Sequence, residues 1–155
     1  MNSLTVKRVL MTFAGIFLAG VSVAIFKASD FGTDPNSCFV MGVWNLAGIK
    51  YSYVYIAINA LMLLGVFFLD RHFIGLGTVL NLFFMGIIVE KGMQLFDRYL
   101  PERTFGVRVL LMCIAVVMMC FASALYFTAD MGVSAYDAYA PVSYTHLRAH
   151  ETLRH

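Results

Sequence analysis

The chain has 155 residues, 61% of them hydrophobic and only 13% charged, with a net charge of +2. That much charge cannot cover the surface of a soluble domain this size, so lipid is the expected solvent for most of the chain. The weak positive balance gives nucleic acid no electrostatic footing, and Cys38, Cys113 and Cys120 form neither a metal-ligand spacing nor a disulfide framework. The cysteines sit in or beside apolar runs and read as small packing residues.

Lys7-Arg8 precede an apolar run over residues 9–26, in which Gly15, Ala19 and Gly20 would allow close helix approach. A signal peptide is the rival reading, but the run is long for one and no small-x-small cleavage site follows. A retained span is therefore expected. Residues 27–36 form a polar break, and Asp34-Pro35 predicts a new helix starting at Pro35, because proline suits a first helical turn. Residues 36–49 are only fourteen, short of the roughly twenty that cross a bilayer. Residues 51–69 form a full-length run containing Asn59, and Asp70-Arg71-His72 follow as a polar turn. The next run opens with Gly75-Leu76-Gly77-Thr78, holds Asn81 and continues through Glu90-Lys91. A charged loop with Pro101 then leads to the last complete span. The fold class predicted is an all-α, polytopic transmembrane helical bundle of four full spans plus one short helix. The elements fall near 8–28, 36–49, 52–70, 74–96 and 107–129.

Two stretches repeat. Ser29-Asp30-Phe31-Gly32-Thr33-Asp34 matches Ala129-Asp130-Met131-Gly132-Val133-Ser134 at an offset of 100, and the same offset lays Arg8-Val9-Leu10 on Arg108-Val109-Leu110. This is the pattern of an internal duplication, of which the chain holds the first part. The positive-inside rule predicts its direction. If 36–49 crosses and the N-terminus is cytoplasmic, seven basic residues fall inside against two outside. The expectation is thus a cytoplasmic N-terminus and parallel copies, with Arg8 and Arg108 on one side and Asp30 and Asp130 on the other. The alternative is a 36–49 segment that dips in and returns, an outer N-terminus and an inverted repeat, which keeps six basic residues inside.

From Val142 the composition turns polar, and VSYTHLRAHET at 142–152 reads codon for codon as a translated transposase-type sequencing adapter. Residues 142–155 are therefore expected to be non-native, leaving 1–141 as the transmembrane domain and a missing C-terminal half as the natural partner. His146 and His150 in that stretch are not read as a metal site.

Carboxylates at broken helix ends, repeated about a pseudo-axis, are where a transporter would hold an ion or polar solute. The candidate substrate- or ion-binding residues are Asp30, Asp34, Asn36, Asn81, Asp130 and Asp137, with Lys27 beside them. Gly32, Pro35, Gly75, Gly77 and Gly132 are assigned structural roles. The plainer alternative makes the aspartates solvated loop charges and helix caps, Asp34 capping the short helix. Asn45, Asn59 and Asn81 need partners inside the bundle or a wet cavity, since lipid offers none. Glu90-Lys91 could be a buried coupling pair, but Lys91 can snorkel to the interface. Gly75-Leu76-Gly77 lacks the phosphate-loop lysine and the dinucleotide spacing. No catalytic constellation, metal set or cofactor motif is present, so no enzyme and no cofactor is expected.

KASDFGTDPNS at 27–37, GLGTVLN at 75–81 with Gly86 and an acidic residue beyond, and ADMGVSAYDA at 129–138 together resemble the motifs of the YczE/YyaS/YitT family of bacterial integral membrane proteins. The resemblance covers residues 6–140. It departs at Ala135-Tyr136, where the family has Pro-Trp, and at Asp34-Pro35-Asn36. It implies a multi-pass protein of the bacterial cytoplasmic membrane with a transporter-like build and no defined activity. The function expected is a transporter or permease-like protein with an unknown small molecule or ion as its solute and a polar path near the two Asp-x-Gly breaks. The rival is a non-transporting membrane accessory or scaffold.

Overall fold

The structure is a computed structural model that describes residues 3–69, 75–100, 104–129, 131, 132, 134, 136 and 137. Among these, five helices and no strand occur: α1 (Ser3–Ser29), α2 (Pro35–Ala47), α3 (Tyr51–Leu69), α4 (Leu76–Tyr99) and α5 (Phe105–Ala129). Four of them, all but α2, are long and apolar enough to cross a membrane. Large apolar side chains such as Leu61, Phe68, Phe83, Val117 and Phe121 point outward, which water would penalise and lipid tolerates. The chain is a multi-pass, all-α membrane protein.

α1 carries the packing. Its middle holds the core residues Ile16, Val23 and Ala24, which meet Met85, Val89 and Met93 of α4 and Tyr126 of α5. Against α4 it runs parallel: Phe13 meets Phe84 edge-on at 5.5 Å, Gly20 faces Ile88 and Ala24 faces Gly92. Against α5 it runs antiparallel: Gly15 faces Ala122 and Tyr126, Ile25 and Phe26 cluster with Ala115, and Asp30 reaches Arg108. α3 is antiparallel to α4, since Ser52 near its start bonds Glu90 and Tyr55 one turn on bonds Asn81.

α2 does not cross. Its thirteen residues rise about 20 Å, well short of a ~30 Å hydrocarbon layer. The chain leaves α1 at Ser29 beside Arg108, yet by Asp34 it lines a cavity with Gly15, Ile16 and Ala19, in the middle of α1. It has turned back into the bundle. α2 then runs outward beside α3, with Asn36 3.5 Å from Asn59 and the Trp44 ring 5.9 Å from the Tyr51 ring at the start of α3. Sequence sets both ends: the Asp34 carboxylate accepts from the Ser37 N–H, Pro35 occupies the first turn, and Gly48 at φ 64 closes the helix through its N–H to the Trp44 carbonyl.

This overturns the parallel repeat expected from the charge count. With α2 making no net crossing, α5 is the fourth passage and runs opposite to α1. Arg8 and Arg108 therefore lie at opposite ends of the bundle. A fourteen-residue run was too close to the crossing threshold for the charge count to decide its path.

Candidate functional site

Two broken segments enter the bundle from opposite ends and meet in its middle. The first follows α1. Asp30 takes a left-handed φ of 56°, which aspartate tolerates better than most residues, and Gly32 follows at φ 109°. The second follows α5, where Gly132 has φ 101°. The helical starts beyond them are capped alike. In the first, Asp34 Oδ2 accepts the Ser37 N–H at 3.0 Å; in the second, Ser134 Oγ accepts the Asp137 N–H at 3.1 Å and donates to Asp137 Oδ2 at 2.7 Å. Cap and capped positions keep the offset of 100.

The two segments close a cavity of about 220 Å³. The first break and α2 supply Asp34, Asn36 and Ser37, and the second break supplies Ser134, Tyr136 and Asp137. α1 contributes its small middle face, Gly15 and Ala19. α3 and α4 contribute Tyr55 and Asn81, and α5 contributes Ser123 and Tyr126. The polar groups in this wall, at the centre of an apolar bundle, need internal partners for their donors and acceptors, and most have them. Tyr55 donates to Asn81 Oδ1 at 3.0 Å, Asn59 Nδ2 donates to the Tyr55 carbonyl at 3.0 Å, and Asn59 Oδ1 accepts from Asn36 Nδ2. The chain Asn36–Asn59–Tyr55–Asn81 ties α2 to α3 and α4. Asp34 Oδ1 additionally accepts from the Thr33 hydroxyl at 3.1 Å. Tyr126 differs: it is 7% exposed and its hydroxyl has no hydrogen-bond partner. No lysine, arginine or histidine lines the cavity among the described residues.

Of the residues singled out from sequence, Asp34, Asn36, Asn81 and Asp137 come together here. Asp30 does not. It is exposed at one end of the bundle, 3.1 Å from Arg108 Nη2, while Arg108 Nε donates to the Ser29 carbonyl at 2.9 Å and the guanidinium lies 5.4 Å from the Phe31 ring centre. Lys27 is half-buried near that end and Asn45 faces outward. Asp130 lies outside the described residues, as do residues 142–155. Pro35 opens α2. Gly75, Gly77 and Gly132 also share one place: Gly77 N–H bonds the Met131 carbonyl at 2.8 Å, and Gly132 packs on the Gly75 backbone. Glu90 is not paired with Lys91. It accepts from both the backbone N–H and the hydroxyl of Ser52, satisfying an otherwise orphaned donor at the start of α3. Lys91 is exposed.

Sequence reasoning missed Ser134 as a cap, Tyr55 and Tyr126 as cavity walls, and Arg108 as the partner of Asp30. The offset of 100 could have found the first, since Ser134 stands where Asp34 stands. Tyr126 is the one tyrosine among the aromatics of α5, so its hydroxyl in an apolar run was the signal that could have found it.

A multi-pass bundle with a polar cavity between two re-entrant breaks defines the class of protein. Residues 6–150 match a family described as a family of unknown function (DUF6198), and the chain belongs to that family. No curated protein and no solved structure matches the chain. The matched span takes in residues 142–150, part of the stretch read from sequence as adapter-derived.

Proposed function

We propose that the chain is a membrane transporter or permease-like protein whose solute path runs through the cavity between the two breaks. The carrying observation is the convergence of Asp34 and Asp137, from segments that enter at opposite ends, on one polar cavity at mid-bundle. Discontinuous helices meeting at the midplane, related by an inverted duplication, are the recurring construction of secondary transporters. The resemblance of the three Gly-rich motifs to the YczE/YyaS/YitT proteins supports the same reading, with a bacterial cytoplasmic membrane as its place. The accessory or scaffold reading has no comparable observation behind it.

The orientation we infer reverses the one read from charge alone. Lys50, Lys91, Arg98 and Arg108 gather at one end of the bundle with Lys27 near it, against Lys7 and Arg8 at the other. The basic end is then cytoplasmic and the N-terminus outside. We also propose that the repeat is an inverted one, and that the parent chain continues beyond residue 141 with counterparts of α2 to α4.

The test needs no known solute. With Cys38, Cys113 and Cys120 replaced by serine, Ser37→Cys and Ser134→Cys are introduced singly and probed with a membrane-impermeant thiol reagent from each side. A carrier that alternates its access exposes both positions to both sides, whereas Lys50→Cys labels from the cytoplasm alone. Labelling of the two cavity positions from one side only, or from neither, would leave no path and overturn the transport reading.

A further inference from the structure

We propose that the central cavity binds a small organic cation of the ammonium or guanidinium class, and that Asp137, Asp34 and Tyr126 are its ligands. The assignment names the solute class for the transport reading and rests on that reading for its biological role.

Charge decides the sign. Asp34 and Asp137 bring two carboxylates to the cavity wall, and no basic side chain among the described residues opposes them there. The start of α2 points its N–H groups the same way, but a helix N-terminus is worth only about half a positive charge. Granting the second break as much again, the site still keeps about one full negative charge. An anionic solute would face that field with no counter-ion, and in a low-dielectric bundle this is prohibitive.

Tyr126 supplies an independent sign that something binds. Its hydroxyl is buried and unpartnered, while its neighbours in the cavity, Tyr55, Asn81 and Ser134, are all bonded. A buried hydroxyl left unsatisfied costs about 1–3 kcal/mol, and at a cavity wall, unlike the equally unpartnered Tyr51 hydroxyl elsewhere, a ligand can supply the missing partner. Tyr126 shares the cavity wall with Phe127, Tyr55 and Tyr136. Aromatic faces beside carboxylates favour a soft, weakly hydrated cation over a bare metal ion. The described residues also hold no group of three or more His, Cys, Asp and Glu that would suit a metal. Size sets the limit: about 220 Å³ is below the ~300 Å³ at which drug-sized pockets begin, so the solute is small.

The purified full chain, in detergent or nanodiscs, is titrated with methylammonium, guanidinium, sodium and acetate salts at constant ionic strength while its thermal unfolding is followed. Methylammonium or guanidinium should give a saturable rise in Tm that sodium and acetate do not. Asp137→Asn should weaken the midpoint about tenfold or more. Tyr126→Phe, which keeps the ring and the fold, should weaken it roughly two- to tenfold. Co-elution with the unmodified protein on size exclusion shows that each variant is folded, and if Asp137→Asn does not fold, Tyr126→Phe carries the test. A response to acetate instead, a response to none of the four, or an unchanged midpoint in the folded variants would overturn the proposal. The two readings separate cleanly. Saturable cation binding without two-sided labelling of Ser37→Cys and Ser134→Cys would leave the cation site standing and remove transport; two-sided labelling without cation binding would do the reverse.

Discussion

The two breaks share a backbone plan and differ in what holds them. Both leave a long apolar helix, both turn through a glycine near φ +100°, and both cap a helical start with a side-chain oxygen three residues before the capped N–H. Yet the carboxylate changes place: it is the cap in the first break, Asp34, and the capped residue in the second, Asp137. The anchors differ too. The first break is held by side chains, through Arg108 on Asp30, Ser29 and Phe31, and space around Gly32 is open. The second is held by backbone, through Gly77 N–H on Met131 and the contact of Gly132 with Gly75. The two breaks thus share a backbone path while the carboxylate at the tip sits at exchanged positions.

Substitution at the two glycines should break the symmetry most visibly. Any side chain is strained at φ 101° or 109°, at a cost of about 1–2 kcal/mol. At Gly132 a Cβ would also lie 2.6 Å from the Gly75 nitrogen, whereas at Gly32 it meets nothing. Gly132→Ala should therefore lose about 3 kcal/mol or more, or fail to accumulate folded, while Gly32→Ala loses only the strain. Thermal unfolding in detergent measures both; equal losses would mean that the clasp to α4 contributes nothing.

The caps give the next largest effect and sharpen the exchange. Asp34→Ala should cost about 1–2 kcal/mol and Ser134→Ala about 1 kcal/mol. Asp34→Ser, which installs the other break's cap, should recover most of the stability lost in Asp34→Ala while removing a carboxylate from the cavity. Stability and cation binding would then part company, since only binding depends on that charge. If Asp34→Ser is as unstable as Asp34→Ala, the carboxylate is structural beyond capping.

Much of this architecture was legible because the signals are local. Apolar runs of about twenty residues mark the spans and Asp34-Pro35 starts α2, and all lie within a few residues of their observed positions. Direction was not legible. A repeat in sequence carries no arrow across the membrane; that depends on whether the segment between copies crosses, and a fourteen-residue run is too near the limit to say. Which aspartate faces inward was hidden for the same reason. Asp30 and Asp34 are four residues apart in a break without regular periodicity, so only the return of the chain into the bundle separates the one at the surface from the one in the cavity.

The smallest expected effect tests the antiparallel packing itself. Arg108 and Asp30 are 32% and 50% exposed, so water and salt weaken their attraction, and the pair is worth about 0.5–1 kcal/mol. Asp30→Asn should cost no more than that, and the cost should vanish near 1 M salt, where the Debye length falls to ~3 Å. Arg108→Gln should cost more, because it also removes the bond to the Ser29 carbonyl and the contact with the Phe31 ring, and this part should survive high salt. A double-mutant cycle measured by thermal unfolding should return a coupling of a few tenths of a kcal/mol or more at low salt. The exchanged pair, Asp30→Arg with Arg108→Asp, should recover part of the loss of either charge reversal alone. Were α1 and α5 parallel, these two residues would stand at opposite faces of the bilayer, and the coupling would be zero at every salt concentration.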